Sequence, residues 1–322
     1  MASKNSINLS KIKKQLSGKN IRTGGKLVFN SDASNKIFQL CKTANQTFLM
    51  LSFTNNPSEF FKYIRSDQVL NSQGLLTPRI LEVNKSQKYL LMDYYLTNNS
   101  SKYFKSEELK KILPKAIQNI ISLQKPRKKF AKIPVKPFNN LMKDAIKGIE
   151  TYIDYFDHKI QIGFYLNRLI QISLKKNLEK LNKYKPKLTH GDFFIDNLIY
   201  FQKDLFVIDH QDLHYNHPYL DIASLIFDAR RQYSEKVEEG MIKKYAQKSF
   251  LPIKQIRSDI HLVSLARNLR ILGNWVNLYR SGKPQYLKKY RKTTWLQILK
   301  HVDHLRFWDL RELFEEIYHK TK

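Results

Sequence analysis

Three polar side chains within one short stretch have the types and spacing that phosphoryl transfer requires: Asp192, Asn197 and Asp209. The stretch reads Leu188-Thr189-His190-Gly191-Asp192-Phe193-Phe194-Ile195-Asp196-Asn197 and later Val207-Ile208-Asp209-His210-Gln211-Asp212. Moving a phosphoryl group needs one carboxylate to orient the acceptor hydroxyl and take its proton. It also needs a carboxylate and an amide oxygen to hold a divalent cation on the donor phosphates. The apolar runs Leu198 to Phe201 and Leu205 to Ile208 flank Gln202-Lys203-Asp204 and predict a hairpin. A hairpin brings the loop before its first strand close to the end of its second, so the three side chains can converge. On this reading Asp192 is the catalytic base, with His190 in the same loop. Asn197 is a metal ligand and Asp209 the principal one. Turn and capping roles would explain a lone His-Gly-Asp. They do not explain its combination with Asn197, Asp209 and a hairpin between the last two.

Two differently patterned regions must position these residues. Up to about residue 96 the chain is strand-rich, and from 97 to 322 it is mainly helical. Lys36 to Lys42 and Thr47 to Phe53 read as strands joined by a polar turn. A helix should follow from Asn56-Pro57-Ser58, with Phe60, Phe61, Ile64, Val69 and Leu70 as its apolar face and Gly74 as its stop. Pro78 to Val83 and Lys88 to Met92 read as two more strands. Beyond them, Leu109 to Leu123, Phe138 to Phe156 and Phe164 to Leu181 have helical apolar spacing. Helices resume at about Asp221 and run to the end, broken at Ser281-Gly282-Lys283-Pro284.

Composition narrows the class further. A chain of 322 residues with 42% hydrophobic content can bury a sizeable core. Its one cysteine, Cys41, fits a reducing, cytoplasmic setting and cannot make an internal disulfide. No apolar run is long enough to span a membrane. The first 28 residues carry no Asp or Glu and read either as a transit-like segment or as a short amphipathic helix bearing Leu9, Ile12 and Leu16. A net charge of +29 raises nucleic acid or an anionic membrane as partners, and with them a non-catalytic binding protein. The lysines are spread along the whole chain, however, and form no stripe. The expectation is a monomer acting on a small molecule, with no specific nucleic-acid partner and no membrane.

The order His-x-Asp, Asn five residues on, then Asp after a hairpin is that of the protein-kinase catalytic loop. The segment resembles the aminoglycoside phosphotransferase and choline kinase families, which share the protein-kinase-like fold. In those families a further Asp-(Leu/Ile)-Ala follows the metal Asp, and here Asp221-Ile222-Ala223 stands in its place. The resemblance implies an α+β fold with a small β-rich lobe at 1–96 and a larger helical lobe at 97–322. It implies ATP and Mg²⁺, with ATP in a cleft and the backbone of Met92, Asp93 and Tyr94 meeting adenine. It gives Asp221 a structural role beneath the catalytic loop.

A finer resemblance is to the bacterial cell-wall amino-sugar kinases, which phosphorylate the anomeric hydroxyl of N-acetylmuramate or N-acetylglucosamine. It rests on Ile208-Asp209-His210-Gln211-Asp212, Tyr219 to Leu225, Ser31-Asp32-Ala33-Ser34, Thr77 to Leu81 and Arg267 to Gly273. Choline, ethanolamine and aminoglycosides are the alternative acceptors. A polycationic aminoglycoside needs clustered carboxylates, and the helical region is not markedly acidic.

Two departures stand out. The strand Thr47 to Phe53 lacks the lysine that kinases use to hold ATP phosphates, which leaves Lys36 and Lys42 as substitutes. The glycine-rich loop is reduced to Gly24-Gly25 and the Ser31 to Ser34 turn, whose amides could contact phosphate. Gln211 and Asp212, which follow the metal Asp, and Glu150, one helical turn from Asp154, are the candidates for binding the acceptor. Arg267 and Arg270 share a helix face and could meet a sugar carboxylate or helix ends. His210, His214 and His217 have a spacing that would suit a helix, but they lie in what reads as a loop, so zinc is not expected.

Overall fold

The computed structural model describes residues 22–23, 36–42, 47–95, 107–126, 130–161 and 163–322. The chain divides into two compact units, one formed by residues up to Asn98 together with Ile199–Gln211, the other by Asn99–Leu198 and Asp212–Lys322. The hairpin segment 199–211 therefore groups with the N-terminal strands, although it lies beyond the sequence boundary at 96.

The first unit is built on an antiparallel sheet of β1 (Arg22–Thr23), β2 (Ile37–Lys42), β3 (Thr47–Ser52), β4 (Ile80–Asn84) and β5 (Tyr89–Asp93), in the order β1-β2-β3-β5-β4. Alternation along the strands gives the sheet two apolar faces. Cys41, Phe48, Met50, Tyr89 and Leu91 form one cluster. Leu51, Phe53, Leu90 and Met92 form the other with Phe60 and Tyr63 of helix α1 (Pro57–Ser72), and Phe38 and Leu49 pack against it. Pro57 starts the helix where its missing N–H costs nothing. Gly74, at φ +77°, turns the chain just past its end. One detail departs from the expected helix face. Phe61 is 48% exposed, and Tyr63 is buried instead. A residue next to Phe60 lies about 100° around the helix, whereas one three residues on returns to the same face.

The second unit is helical. Its elements are α2 (Leu109–Gln124), α3 (Phe138–Tyr155), α4 (Asp157–Ile160), α5 (Phe164–Leu178), α6 (Leu220–Ile226), α7 (Glu235–Ser249), α8 (Ile253–Arg280), α9 (Gln285–Leu305) and α10 (Trp308–Lys320). The predicted helix from 164 to 181 tightens into a 3-10 turn at Glu179–Lys183. The strands β7 (Leu198–Phe201) and β8 (Asp204–Val207) form the expected hairpin, and the segment read as a loop around His214 contains a strand, β9 (His214–Asn216), which pairs antiparallel with β6 (Lys187–Thr189). That short ladder was not legible because three residues show no period. Helices α3 and α8 cross with their backbones nearly touching. A Cβ on Gly148 would lie 2.2 Å from the carbonyl oxygen of Leu269, and one on Gly273 would lie 2.6 Å from the Cα of Gly148. Among the described residues no helix is long and apolar enough to cross a membrane.

Candidate active site

The loop between β6 and the 3-10 turn Ile195–Asn197 carries Asp192, and a buried carboxylate holds it from beneath. Asp221, fully buried at the start of α6, accepts hydrogen bonds from the backbone N–H of His190 at 2.7 Å and of Gly191 at 3.0 Å. Burial pushes the Asp221 carboxyl above the usual carboxylate range, opposed by the charge of His190 and by these two hydrogen bonds. Gly191 has to be glycine on two counts. Its φ is +94°, and a Cβ there would lie 2.9 Å from Cε1 of His214.

His190 is wholly buried, and its Nδ1 accepts the N–H of Asp192 at 3.3 Å. In this geometry the imidazole shapes the turn that presents Asp192. Asn197 donates from Nδ2 to the backbone carbonyl of Asp192 at 2.9 Å, which turns its Oδ1 into the atom left to coordinate. Asp196, beside it, is gripped by both oxygens. Arg231 Nη2 reaches Oδ1 at 2.6 Å and Oδ2 at 2.8 Å, while its Nη1 meets Asp228 at 3.0 Å. Sequence reasoning missed this clamp, although Asp196 stands inside the motif.

A relay of polar groups supports the loop through β9. The N–H of His217 donates to Asn216 Oδ1 at 2.6 Å, and Asn216 Nδ2 meets His214 Nε2 at 2.9 Å. His214 Nδ1 in turn meets the carbonyl of Asp212. The chain of donors fixes His214 as a neutral imidazole with its proton on Nδ1. Burial, aided by the charge of Lys136, lowers its pKa to about 4. His217 is lowered to about 3 by burial and by Lys183. Among the described residues no group of three or more His, Cys, Asp or Glu side chains could hold a metal ion.

Asp209 belongs to the first unit and adopts a left-handed backbone, φ +61°, a conformation Asp tolerates better than most residues. Its Oδ1 lies 2.7 Å from Nζ of Lys36, the residue before β2. The lysine side chain is 3% exposed and the aspartate side chain 42%. Nearby on α1, Asp67 accepts from Thr77 Oγ1 at 2.6 Å and lies 3.8 Å from His210 Nε2, and the His210 ring stacks at a tilt on Tyr63.

The other candidates are more scattered. Met92 and Asp93 end β5 between two paired strands, and the N–H of Asp93 is already given to the carbonyl of Arg79 at 3.0 Å. An adenine contact at this hinge would therefore use groups beyond that N–H, at Asp93 C=O and Tyr94. Gln211 is partly buried in the first unit, while Asp212 is exposed in the second. Glu150 is partly buried on α3, and its neighbour Asp154 pairs with Arg280 at 3.2 Å. Arg267 is 1% exposed, and its Nε and Nη1 have no hydrogen-bond partner among the described residues. Ser31, Ser34 and Gly24-Gly25 lie outside the described residues, as does the side chain of Lys42.

Residues 27–252 match the phosphotransferase enzyme family. A 104-residue stretch is 32% identical to an N-acetylmuramate/N-acetylglucosamine kinase of Caulobacter vibrioides, covering 30% of this chain and 29% of that protein. The chain thus spans under a third of that relative's length. Among solved structures, the gentamicin complex of APH(2")-IIa superposes with a TM-score of 0.61 at 15% identity, over 91% of this chain and 97% of that one. Choline kinase LicA from Streptococcus pneumoniae gives 0.58 at 18% identity, over 88% and 95%. A choline/ethanolamine kinase family protein from Mesorhizobium loti gives 0.60 at 10% identity, over 97% and 98%. These likenesses establish the kinase-like α+β fold, a small sheet-bearing region followed by a mostly helical one. With a family match over most of its length, the chain belongs to the phosphotransferase enzyme family.

Proposed function

We propose that this enzyme transfers the γ-phosphoryl group of ATP, with Mg²⁺, to the anomeric hydroxyl of an amino sugar of the N-acetylmuramate or N-acetylglucosamine type. The observation that carries the reading is the fixed loop. Asp221 ties down His190 and Gly191, and Asn197 ties down Asp192, so one partly exposed carboxylate is presented on an otherwise immobilised turn. That is what a group needs if it is to orient a hydroxyl and accept its proton. Asn197 Oδ1 and the Asp209 carboxylate are each hard oxygen donors of the kind Mg²⁺ takes. When bound, the cation would neutralise charge on the donor phosphates. Asp192 aligns the acceptor hydroxyl and takes its proton as the new O–P bond forms. The Caulobacter relative supports the amino sugar, and Gln211, Asp212 and Glu150 are the side chains assigned to it. The reading carries with it a cytoplasmic monomer, in keeping with a single cysteine in the chain.

The test is ATP turnover with Mg²⁺ on a panel of N-acetylmuramate, N-acetylglucosamine, choline, ethanolamine and an aminoglycoside. The expected product is the 1-phosphate of one or both sugars, absent with Asp192→Ala. Product only from choline or ethanolamine would replace the acceptor and leave the reaction standing. No phosphorylated product from any panel member, with wild type indistinguishable from Asp192→Ala, would remove the support for this reading.

A further inference from the structure

Kinases of this fold anchor the donor phosphates with a lysine on the strand that corresponds to β3, paired to an acid on the following helix. Here β3 reads Thr-Phe-Leu-Met-Leu-Ser. Its helix-facing residues, Leu49 and Leu51, belong to the apolar contacts under α1. The helix acid Asp67 is engaged by Thr77 and Asn71 and lies near His210.

We infer that Lys36, immediately before β2, supplies the ammonium that holds the nucleotide phosphates. The inference rests on the phosphotransferase reading and adds a residue to it. The first support is position. Phe38 faces α1, and side chains alternate along a strand, so Lys36 lies on that same face of the sheet. In the register of β2 with β3, Ile37 stands opposite Ser52, which sets Lys36 beside the end of β3. The ammonium thus reaches from the neighbouring strand to the face from which the missing lysine would act.

The second support is energetic. A lysine in a chain of net charge +29 has every reason to remain in water. Lys36 is instead buried, 2.7 Å from the carboxylate of Asp209 and 5.8 Å from the centre of the Tyr63 ring. Burying an ammonium is costly unless it is paired, and breaking such a pair leaves a buried charge. The third support is the identity of its partner. Because Asp209 is the proposed metal ligand, Lys36 and the cation would act on the same phosphates.

The experiment compares wild type with Lys36→Met and Lys36→Arg by calorimetric titration with ADP and Mg²⁺, and separately with adenosine. Loss of a phosphate contact should weaken ADP by about tenfold or more in Lys36→Met, leave adenosine unchanged, and be partly rescued in Lys36→Arg. Turnover should fall in kcat/KM for ATP by about a hundredfold, with KM for the sugar little changed. A reagent such as 5′-fluorosulfonylbenzoyl adenosine, whose electrophile occupies the phosphate region, gives a second measurement on the unaltered protein. Its label should map to Lys36. Wild-type ADP affinity in Lys36→Met, or a label on another lysine, would overturn the inference while leaving phosphoryl transfer intact. A wild type that binds neither ADP nor ATP would remove both this inference and the function on which it rests.

Discussion

The carboxylate of Asp221 lies 31 residues after His190 in the chain, yet both its oxygens end on that loop, one on the N–H of His190 and one on that of Gly191. Both hydrogen bonds run to backbone N–H groups, so the contact fixes the path of the loop backbone. Asp221→Asn keeps the size but offers one acceptor where two are needed, and it turns an N–H₂ group toward a backbone donor. The expected loss is about 1–3 kcal/mol of unfolding free energy. Turnover should drop further than stability does, with KM for ATP nearly unchanged. Urea titration alongside steady-state kinetics measures both. A variant as active as wild type would mean that the loop does not depend on this carboxylate.

Arg231 clamps Asp196 with a single nitrogen and reaches Asp228 with another. Removing the guanidinium in Arg231→Met takes the clamp off Asp196 and leaves Asp228 its longer ion pair with Arg230, at 3.5 Å. Stability should fall by about 2 kcal/mol, and lysine should restore little because it cannot present a planar fork. Thermal unfolding of the two variants decides this. Equal rescue by lysine would show that charge alone matters.

His214 gives the loop a pH dependence whose sign follows from its depressed pKa, about 4 when folded against 6.5 for the free side chain. Above 6.5 neither state is protonated and the full stability is present. As the pH falls below that value the unfolded chain takes a proton that the folded imidazole refuses, so stability drops until about pH 4. Protonation would also set an N–H on Nε2 against the amide N–H₂ of Asn216. His217 acts in the same direction. Asp221, Asp67 and Glu238, whose carboxyls are pushed up by burial, act in the opposite one. A comparison with His214→Gln isolates the histidine. Between about pH 6 and pH 5 the wild type should lose stability more steeply, by up to about 1.4 kcal/mol per pH unit. Parallel slopes would contradict the assignment.

The crossing of α3 and α8 leaves no room for a methyl group on either glycine. Gly273→Ala would usually favour a helix, by about 1 kcal/mol. Here it should instead destabilise by about 1–3 kcal/mol, because the obstacle is backbone and cannot rotate away. Gly240→Ala on α7, where the space is open, is the control and should stabilise. Chemical denaturation of both variants checks the contrast.

Much of this was legible because its signals are local. Asp192, Asn197 and Asp209 announce themselves through residue type and spacing, and the strands and long helices through period. The hairpin at Leu198 to Val207 was marked by its polar turn. What escaped depends on partners far along the chain. Arg231 finds Asp196 across 35 residues, and Lys36 finds Asp209 across 173. Nothing adjacent to either pair records the meeting. Phe61 was misplaced for a smaller reason, since the inward face at that turn of the helix is taken by Phe60 and Tyr63. Gly273 was visible as part of a resembling motif, but its reason, the backbone of Gly148, was not.

The grouping of residues 199–211 with the N-terminal strands bears on how this gene can be cut and recombined. Val207 gives its N–H to the carbonyl of Leu76 at 2.8 Å, and Leu76 bridges Phe206 in parallel. A fragment ending near residue 98 would carry five strands and a helix, yet lack the segment that hydrogen-bonds the Leu76 backbone and the aspartate that pairs with Lys36. The converse fragment would carry residues 199–211 without the strands they group with. Neither half is inherited as a contiguous block, so exchange between relatives has to bring both ends of the first unit together. Chimaeras joined near residue 98 alone would mix the Lys36 of one parent with the Asp209 of another.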